Sequence, residues 1–140
     1  MHNSAYIKTW IGAQAPQNNY ESAGLPRGGG WGSVKNITFS NFVIDGADSG
    51  PAITQDNGNN GSFSGSSLMD ISDIHFVNFT GKLSKGKSSK ASINCSRLHP
   101  CFNITFSDFN LIGSDGKSLT ATCRNTAAGG VRGLDSPSCS

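Results

Sequence analysis

The chain has 140 residues, enough for one domain with one hydrophobic core, and we predict a single domain over residues 1–140. Its formal net charge of +2 is too small to indicate a nucleic acid or an anionic membrane as a partner, and no apolar run approaches the roughly 20 residues that a membrane helix needs. Only 14% of the residues are charged and 18 are glycine, a composition that disfavours helices and favours short strands joined by turns.

The first predicted strand is AYIKTW, at residues 5–10. Within it Lys8 is flanked by Tyr6 and Trp10. A lysine in this setting can bind the carboxylate of an acidic sugar while an aromatic face contacts the sugar ring. The alternative is a strand lysine that is simply solvated.

A seven-residue phrase then occurs three times, as NITFSNF at 36–42, DIHFVNF at 73–79 and NITFSDF at 103–109. The Ile and Phe residues alternate with polar ones, which predicts a strand with one buried face. The sixth position is Asn41, Asn78 or Asp108, and Asn and Asp accept bend conformations. The spacing of the copies is typical of a repeat architecture.

Each copy is followed by a second short strand: PAITQD at 51–56, ASINC at 91–95 and LTATC at 119–123. Such a unit can bury its apolar face only against copies of itself. We therefore predict an all-β, right-handed parallel β-helix of about three to four coils. An antiparallel sandwich is the alternative, and Asn-Gly and Asp-Gly pairs for its hairpins are present, but it accounts less well for near-identical heptads at similar spacing.

The four cysteines allow three disulfide pairings, which sequence alone does not distinguish. Proximity favours Cys95–Cys101 and Cys123–Cys139. A zinc site is disfavoured because no C-x-x-C pair is present and only His99 lies near a cysteine. We predict no metal site.

Sequons for N-glycosylation, together with an even cysteine count, favour a secreted protein. They begin at Asn36, Asn60, Asn78, Asn94 and Asn103. The stretch MHNSAYIKTWIGAQAP has neither the basic nor the apolar segment of a signal peptide. We therefore expect the chain to be the C-terminal part of a longer, extracellular protein.

The acidic residues and histidines form no self-contained catalytic constellation in the sequence. Hydrolysis of a glycosidic bond needs two carboxylates at a fixed separation, and no two of the nine acidic residues are adjacent. His75 occupies the position of Thr38 and Thr105 in the repeat, which predicts a surface strand residue. The lysine-rich segment 81–90 is expected to be a solvated loop, with a polyanion contact as the lesser alternative.

Several segments in order resemble glycoside hydrolase family 28, the polygalacturonases and rhamnogalacturonan hydrolases, with particular likeness to fungal exo-acting members. They are AYIKTWIG, GSVKNITFSNFVIDG, PAITQD, ISDIHFVNFTG and SINCSRLHPCFNITFSDFNL. The resemblance implies a right-handed parallel β-helix and a secreted enzyme that hydrolyses α-1,4-galacturonosidic bonds in pectin with inversion. It implies no metal or organic cofactor, and we expect a monomer.

The resemblance also predicts site residues, where a position of this sequence matches a position of the family's motifs. Lys8 matches the lysine of the family's Arg-Ile-Lys motif, which binds the substrate carboxylate, and Tyr6 stands where the arginine would be. Gln55 lies on the following coil, near where the family lines its cleft, and is expected to contact substrate. The cysteine pairs favoured by proximity match the C-terminal disulfides of the fungal enzymes. The family's Asn-Thr-Asp, Asp-Asp and Gly-His-Gly catalytic motifs have no counterpart in this sequence, so we assign no catalytic residue.

Three hypotheses follow. The chain is the C-terminal part of a pectin-hydrolysing enzyme and inactive by itself, or a non-catalytic module or decoy that binds pectin oligosaccharides, or a degenerate relic. The choice between endo and exo action, and between homogalacturonan and rhamnogalacturonan, is left open by the sequence.

Overall fold

The computed structural model describes residues 2–14, 28–58 and 63–139, and its regular structure is almost entirely strand. The strands are β1 (Tyr6–Trp10), β2 (Trp31–Ala47), β3 (Ala52–Asn57), β4 (Leu68–Leu83), β5 (Ser89–Asn94), β6 (Phe102–Ile112), β7 (Thr120–Arg124) and β8 (Val131–Arg132). A 3-10 turn covers Pro137–Cys139.

The strands form two parallel sheets whose members alternate along the chain. The short-strand sheet has the order β1-β3-β5-β7, and the long-strand sheet has the order β2-β4-β6-β8. Every pairing in both sheets is parallel. Because the chain visits the two sheets in turn and advances by one strand each time, it forms a parallel β-helix, and the predicted all-β solenoid is confirmed.

The heptads lie in register on successive coils of the long-strand sheet. Phe39 pairs with Phe76 and Phe76 with Phe106, and the Ile37, Ile74 and Ile104 positions pair in the same way. The ring centroids along this phenylalanine column are 5.3 and 4.7 Å apart. The phrase recurs in the sequence because each copy supplies one layer of the same core.

The predicted bends are confirmed at the sixth heptad position, where Asn41, Asn78 and Asp108 have φ angles of 63°, 57° and 50°. This is the left-handed region, which Asn and Asp tolerate better than other side chains. Asn78 also donates from Nδ2 to Asn41 Oδ1 over 2.9 Å, so the corner residues bond from coil to coil.

The first heptad position is a second corner that the sequence analysis did not predict. Asn36, Asp73 and Asn103 have φ angles of 60°, 55° and 52°. The long strands therefore begin before the heptads and turn at both ends of each heptad. Trp31 is accordingly the first residue of β2.

The core is best covered in the middle of the stack. Ile74, Phe76 and Phe79 on β4 are completely buried, whereas Phe39 and Phe42 on β2 are half-buried. The difference arises because β2 is the first strand of its sheet among the described residues, with a neighbour on one side only.

Both disulfides favoured by the sequence are present. Cys95–Cys101 closes a loop between β5 and β6, and Cys123–Cys139 ties the C-terminal turn to β7. No free cysteine occurs in the part of the chain that the structure describes.

Candidate functional site

The outer face of β1 presents Tyr6, Lys8 and Trp10, while Ile7 and Thr9 point into the solenoid. This alternation follows from the two-residue period of a strand. The Thr9 hydroxyl donates to the backbone oxygen of Gln55 over 2.7 Å in the buried interior, which anchors β1 to β3. The outward residues are thus held on a fixed strand.

Lys8 is exposed, and its Nζ lies 5.2 Å from the centroid of the Trp10 ring. An ammonium at this distance from an indole is attracted to the ring face. Among the described residues Lys8 forms no ion pair. Its charge is therefore available to an anion from solvent.

A surface pocket of about 270 Å³ adjoins this lysine and is lined by Lys8, Thr9, Trp10, Gly28, Gly30 and Met69. It combines one cation and one indole with backbone from a glycine-rich turn. Gly28 has a φ of 91°, and a Cβ there would come within 2.2 Å of the backbone oxygen of Ala13. The glycine is required for this turn to pass close to β1, where it forms one side of the pocket.

A sequence profile of glycosyl hydrolases family 28 matches residues 26–136, which is most of the chain. The chain belongs to this family.

Curated relatives of this family 28 chain include two proteins that are both named "Putative galacturan 1,4-alpha-galacturonidase C". The one from Neosartorya fischeri is 59% identical over 137 residues and the one from Aspergillus niger is 53% identical over 138 residues; each alignment covers 96% of this chain and 32% of the relative. Exopolygalacturonase A of Aspergillus niger is 32% identical over 125 residues, covering 86% of this chain and 28% of the relative. The chain thus spans about a third of the length of these relatives. No solved structure gives a significant match.

Tyr6 lies two residues before Lys8 on the same outer face and is 43% exposed. It brings a phenol, and no guanidinium, to the outer face of this strand. A phenol can donate a hydrogen bond and pack against a sugar ring but carries no positive charge. Lys8 is consequently the only cation on β1.

Gln55 lies on β3, in the coil after Lys8 as expected, but its side chain points into the solenoid. Its side chain is completely buried, with Nε2 donating to the backbone oxygens of Met69 (2.6 Å) and His99 (3.0 Å), and Oε1 accepting from the backbone N–H of Ser96 over 2.9 Å. The predicted substrate contact is wrong, because an interior amide with these partners holds the loop beside the Cys95–Cys101 disulfide and does not reach the outer face of the sheet.

His99 has a partner that the sequence did not reveal. Its Nδ1 lies 2.6 Å from Asp70 Oδ1, and both side chains are substantially exposed. His75, predicted to be a surface residue, is half-buried with its Nδ1 2.6 Å from Thr105 Oγ1. Both contacts join residues about 30 positions apart, so only the coil register could have shown them.

Among the described residues, no group of three or more His, Cys, Asp or Glu side chains is arranged to hold a metal ion. No helix in this part of the chain is long and apolar enough to cross a membrane.

The sequon asparagines differ in exposure. Asn36 and Asn78 are exposed, whereas Asn94 and Asn103 are half-buried. Asn103 also accepts a hydrogen bond at Oδ1 from Arg132 over 3.2 Å. Asn60 lies outside the described residues.

Proposed function

We propose that this chain forms the C-terminal coils of a secreted, pectin-degrading glycoside hydrolase that acts on α-1,4-galacturonosidic bonds with inversion. Its own contribution to the enzyme is to bind a substrate carboxylate. The observation that carries the proposal is Lys8, an outward cation without an ion-pair partner in the described chain, beside Trp10 and a pocket large enough for part of a sugar.

The chemistry of the pocket suits an acidic sugar. An ammonium forms charge-assisted hydrogen bonds with a carboxylate, and the indole and Met69 supply apolar surface for the C–H face of a sugar ring. A neutral sugar would leave the lysine charge without a partner. A galacturonosyl unit, which the names of the two galacturonidase relatives specify, offers both groups.

The first coil supports the placement of this chain within a longer solenoid. Val34, Ile37, Phe39 and Phe42 are only partly buried along β2, although their counterparts on β4 are fully covered or nearly so. Solenoids normally cap such an apolar edge, and another coil of the same helix would cover it. The catalytic carboxylates then belong to preceding coils, so we expect the isolated chain to bind without cleaving.

We also propose that the enzyme is an extracellular monomer and that it carries N-linked glycan. The two disulfides suit an oxidising compartment, and Asn36 and Asn78 are accessible acceptors. The presence of glycan is tested by measuring the intact mass of protein from the native source before and after enzymatic deglycosylation. The mass should fall on deglycosylation.

Binding is tested by titration calorimetry with digalacturonate. Lys8→Ala is expected to weaken binding by at least about fivefold, because a charge-assisted hydrogen bond is lost. Lys35→Ala is the matched control, since Lys35 is an exposed strand lysine on the other sheet, and it should leave the affinity unchanged. Equal affinities for all three proteins would refute the assignment of Lys8.

The second candidate function is a non-catalytic pectin-binding module or decoy, and it rests on the same lysine. Reading the native transcript upstream of Met1 separates the two. An open frame that contains the Asn-Thr-Asp, Asp-Asp and Gly-His-Gly motifs supports the enzyme. A transcript whose frame opens at Met1, from a protein that still binds oligogalacturonate, supports the module.

A further inference from the structure

One row of side chains crosses the outer face of the short-strand sheet from the first coil to the last. Lys8 pairs with Thr54, Thr54 with Asn94, and Asn94 with Arg124. Neighbouring strands are about 4.8 Å apart, so the row spans about 14 Å. A cation stands at each end, and two polar, uncharged residues lie between them.

Arg124 is exposed, and it forms no ion pair within residues 2–14, 28–58 and 63–139. Its position on the sheet is nevertheless fixed. Its backbone oxygen accepts from Cys95 N–H over 2.9 Å, and the preceding residue, Cys123, is held by the disulfide to Cys139. A guanidinium on a fixed strand that is not neutralised by the protein is suited to a carboxylate from outside.

The side chains between the two cations leave room for an anion, because they are uncharged polar groups or a carboxylate that is already hydrogen-bonded. The outward neighbours of the row on β5 and β7, Ser92 and Thr122, are hydroxyl residues. The carboxylate on this face of β3 is Asp56, and its two oxygens accept from the backbone N–H groups of Gly65 (2.9 Å) and Ser67 (2.7 Å). That carboxylate is therefore occupied in holding the loop after β3.

We propose that Arg124 is a second carboxylate-binding residue, which engages a galacturonosyl unit further along the same oligosaccharide that Lys8 holds. The polysaccharide runs along the row and crosses the coils, with Thr54 and Asn94 beneath its hydroxyl groups. This inference rests on the proposed function. If Arg124 has this role, acidic oligomers long enough to reach from Lys8 to Arg124 bind more tightly than shorter ones.

The test is the chain-length dependence of binding. Galacturonate oligomers from the monomer to the hexamer are titrated into the full chain, into Lys8→Ala, into Arg124→Ala, into Arg124→Lys and into the control Arg97→Ala. Arg97 is an exposed arginine in the loop after β5, outside the row. Circular dichroism and a thermal melt establish that each exposed-site variant is folded like the parent.

Arg124→Ala should leave the affinity for the shortest oligomers unchanged and lower it by about fivefold for those that span about 14 Å, with Arg124→Lys between the two. Arg97→Ala should follow the parent at every length. If Lys8→Ala weakens all oligomers while Arg124→Ala weakens none, the inference fails and the proposed function stands. If neither variant changes any affinity, the proposed function fails as well.

Discussion

Phe42 and Phe79 stack with their ring centroids 4.6 Å apart and their planes inclined by only 5°. The two residues occupy the same heptad position on adjacent coils, and their rings continue a column that reaches Phe109. The contact shows how this solenoid is held together, because each coil buries its aromatic residues on the equivalent residues of the next.

The contribution of each phenylalanine ring to the free energy of unfolding should depend on its position in the stack. Phe79 is completely buried, so Phe79→Ala is expected to lower the free energy of unfolding by about 3–5 kcal/mol. Phe42 is half-buried, and Phe42→Ala should cost about half as much. Urea denaturation followed by circular dichroism measures both. Equal costs would mean that β2 is as well covered as β4 in solution.

The left-handed corners should reject branched side chains. Asp108 has a φ of 50°, and Asp108→Val should lose about 1–2 kcal/mol of stability whereas Asp108→Gly should lose little or none. Ser107→Val provides the control, since this neighbouring residue is also exposed and lies in ordinary strand conformation. A Val that is tolerated as well at 108 as at 107 would show that the corner imposes no strain.

The buried amide of Gln55 should matter more for folding than for binding. Gln55→Leu removes the side-chain partner of two buried backbone oxygens and of the Ser96 N–H, which predicts a loss of about 2–4 kcal/mol. Thr54→Ala, at the adjacent outward position, should change stability by less than about 0.5 kcal/mol. Thermal unfolding of the two variants gives the comparison, and a Gln55→Leu protein as stable as the parent would contradict this structural role.

The two disulfides should contribute unequally. They join residues separated by 6 and 16 positions, and in the chain-entropy description closing the longer loop stabilises more, by about 3 against about 2 kcal/mol. Paired Cys→Ala variants of each bridge, unfolded in urea, test the order. A clearly larger loss of stability on removing Cys95–Cys101 would contradict the expected order.

The repeated heptads made the fold readable from the sequence. Their Ile-Phe alternation predicted the buried face, and the Asn or Asp at the sixth position predicted a corner. The corner at Asn36, Asp73 and Asn103 was missed because an Asn at the start of an alternating run is also compatible with extended backbone. Its left-handed φ depends on how the preceding residues enter the coil.

The site was only partly readable, for a physical reason. Lys8 and its aromatic neighbours lie within one strand, so local alternation places them. The role of Gln55 depends on residues 14 and more than 40 positions away, and the row from Lys8 to Arg124 depends on the register of four strands. A sequence pattern predicts which side chains of a strand point inward and which point outward. It does not predict which residues of the neighbouring coils lie beside them.

The most direct test of the central claim is a crystal structure of the protein with digalacturonate bound. We expect a substrate carboxylate about 2.7–2.9 Å from Lys8 Nζ, with the sugar ring against Trp10 in the pocket beside Met69. A digalacturonate bound elsewhere, with Lys8 still facing solvent, would contradict it.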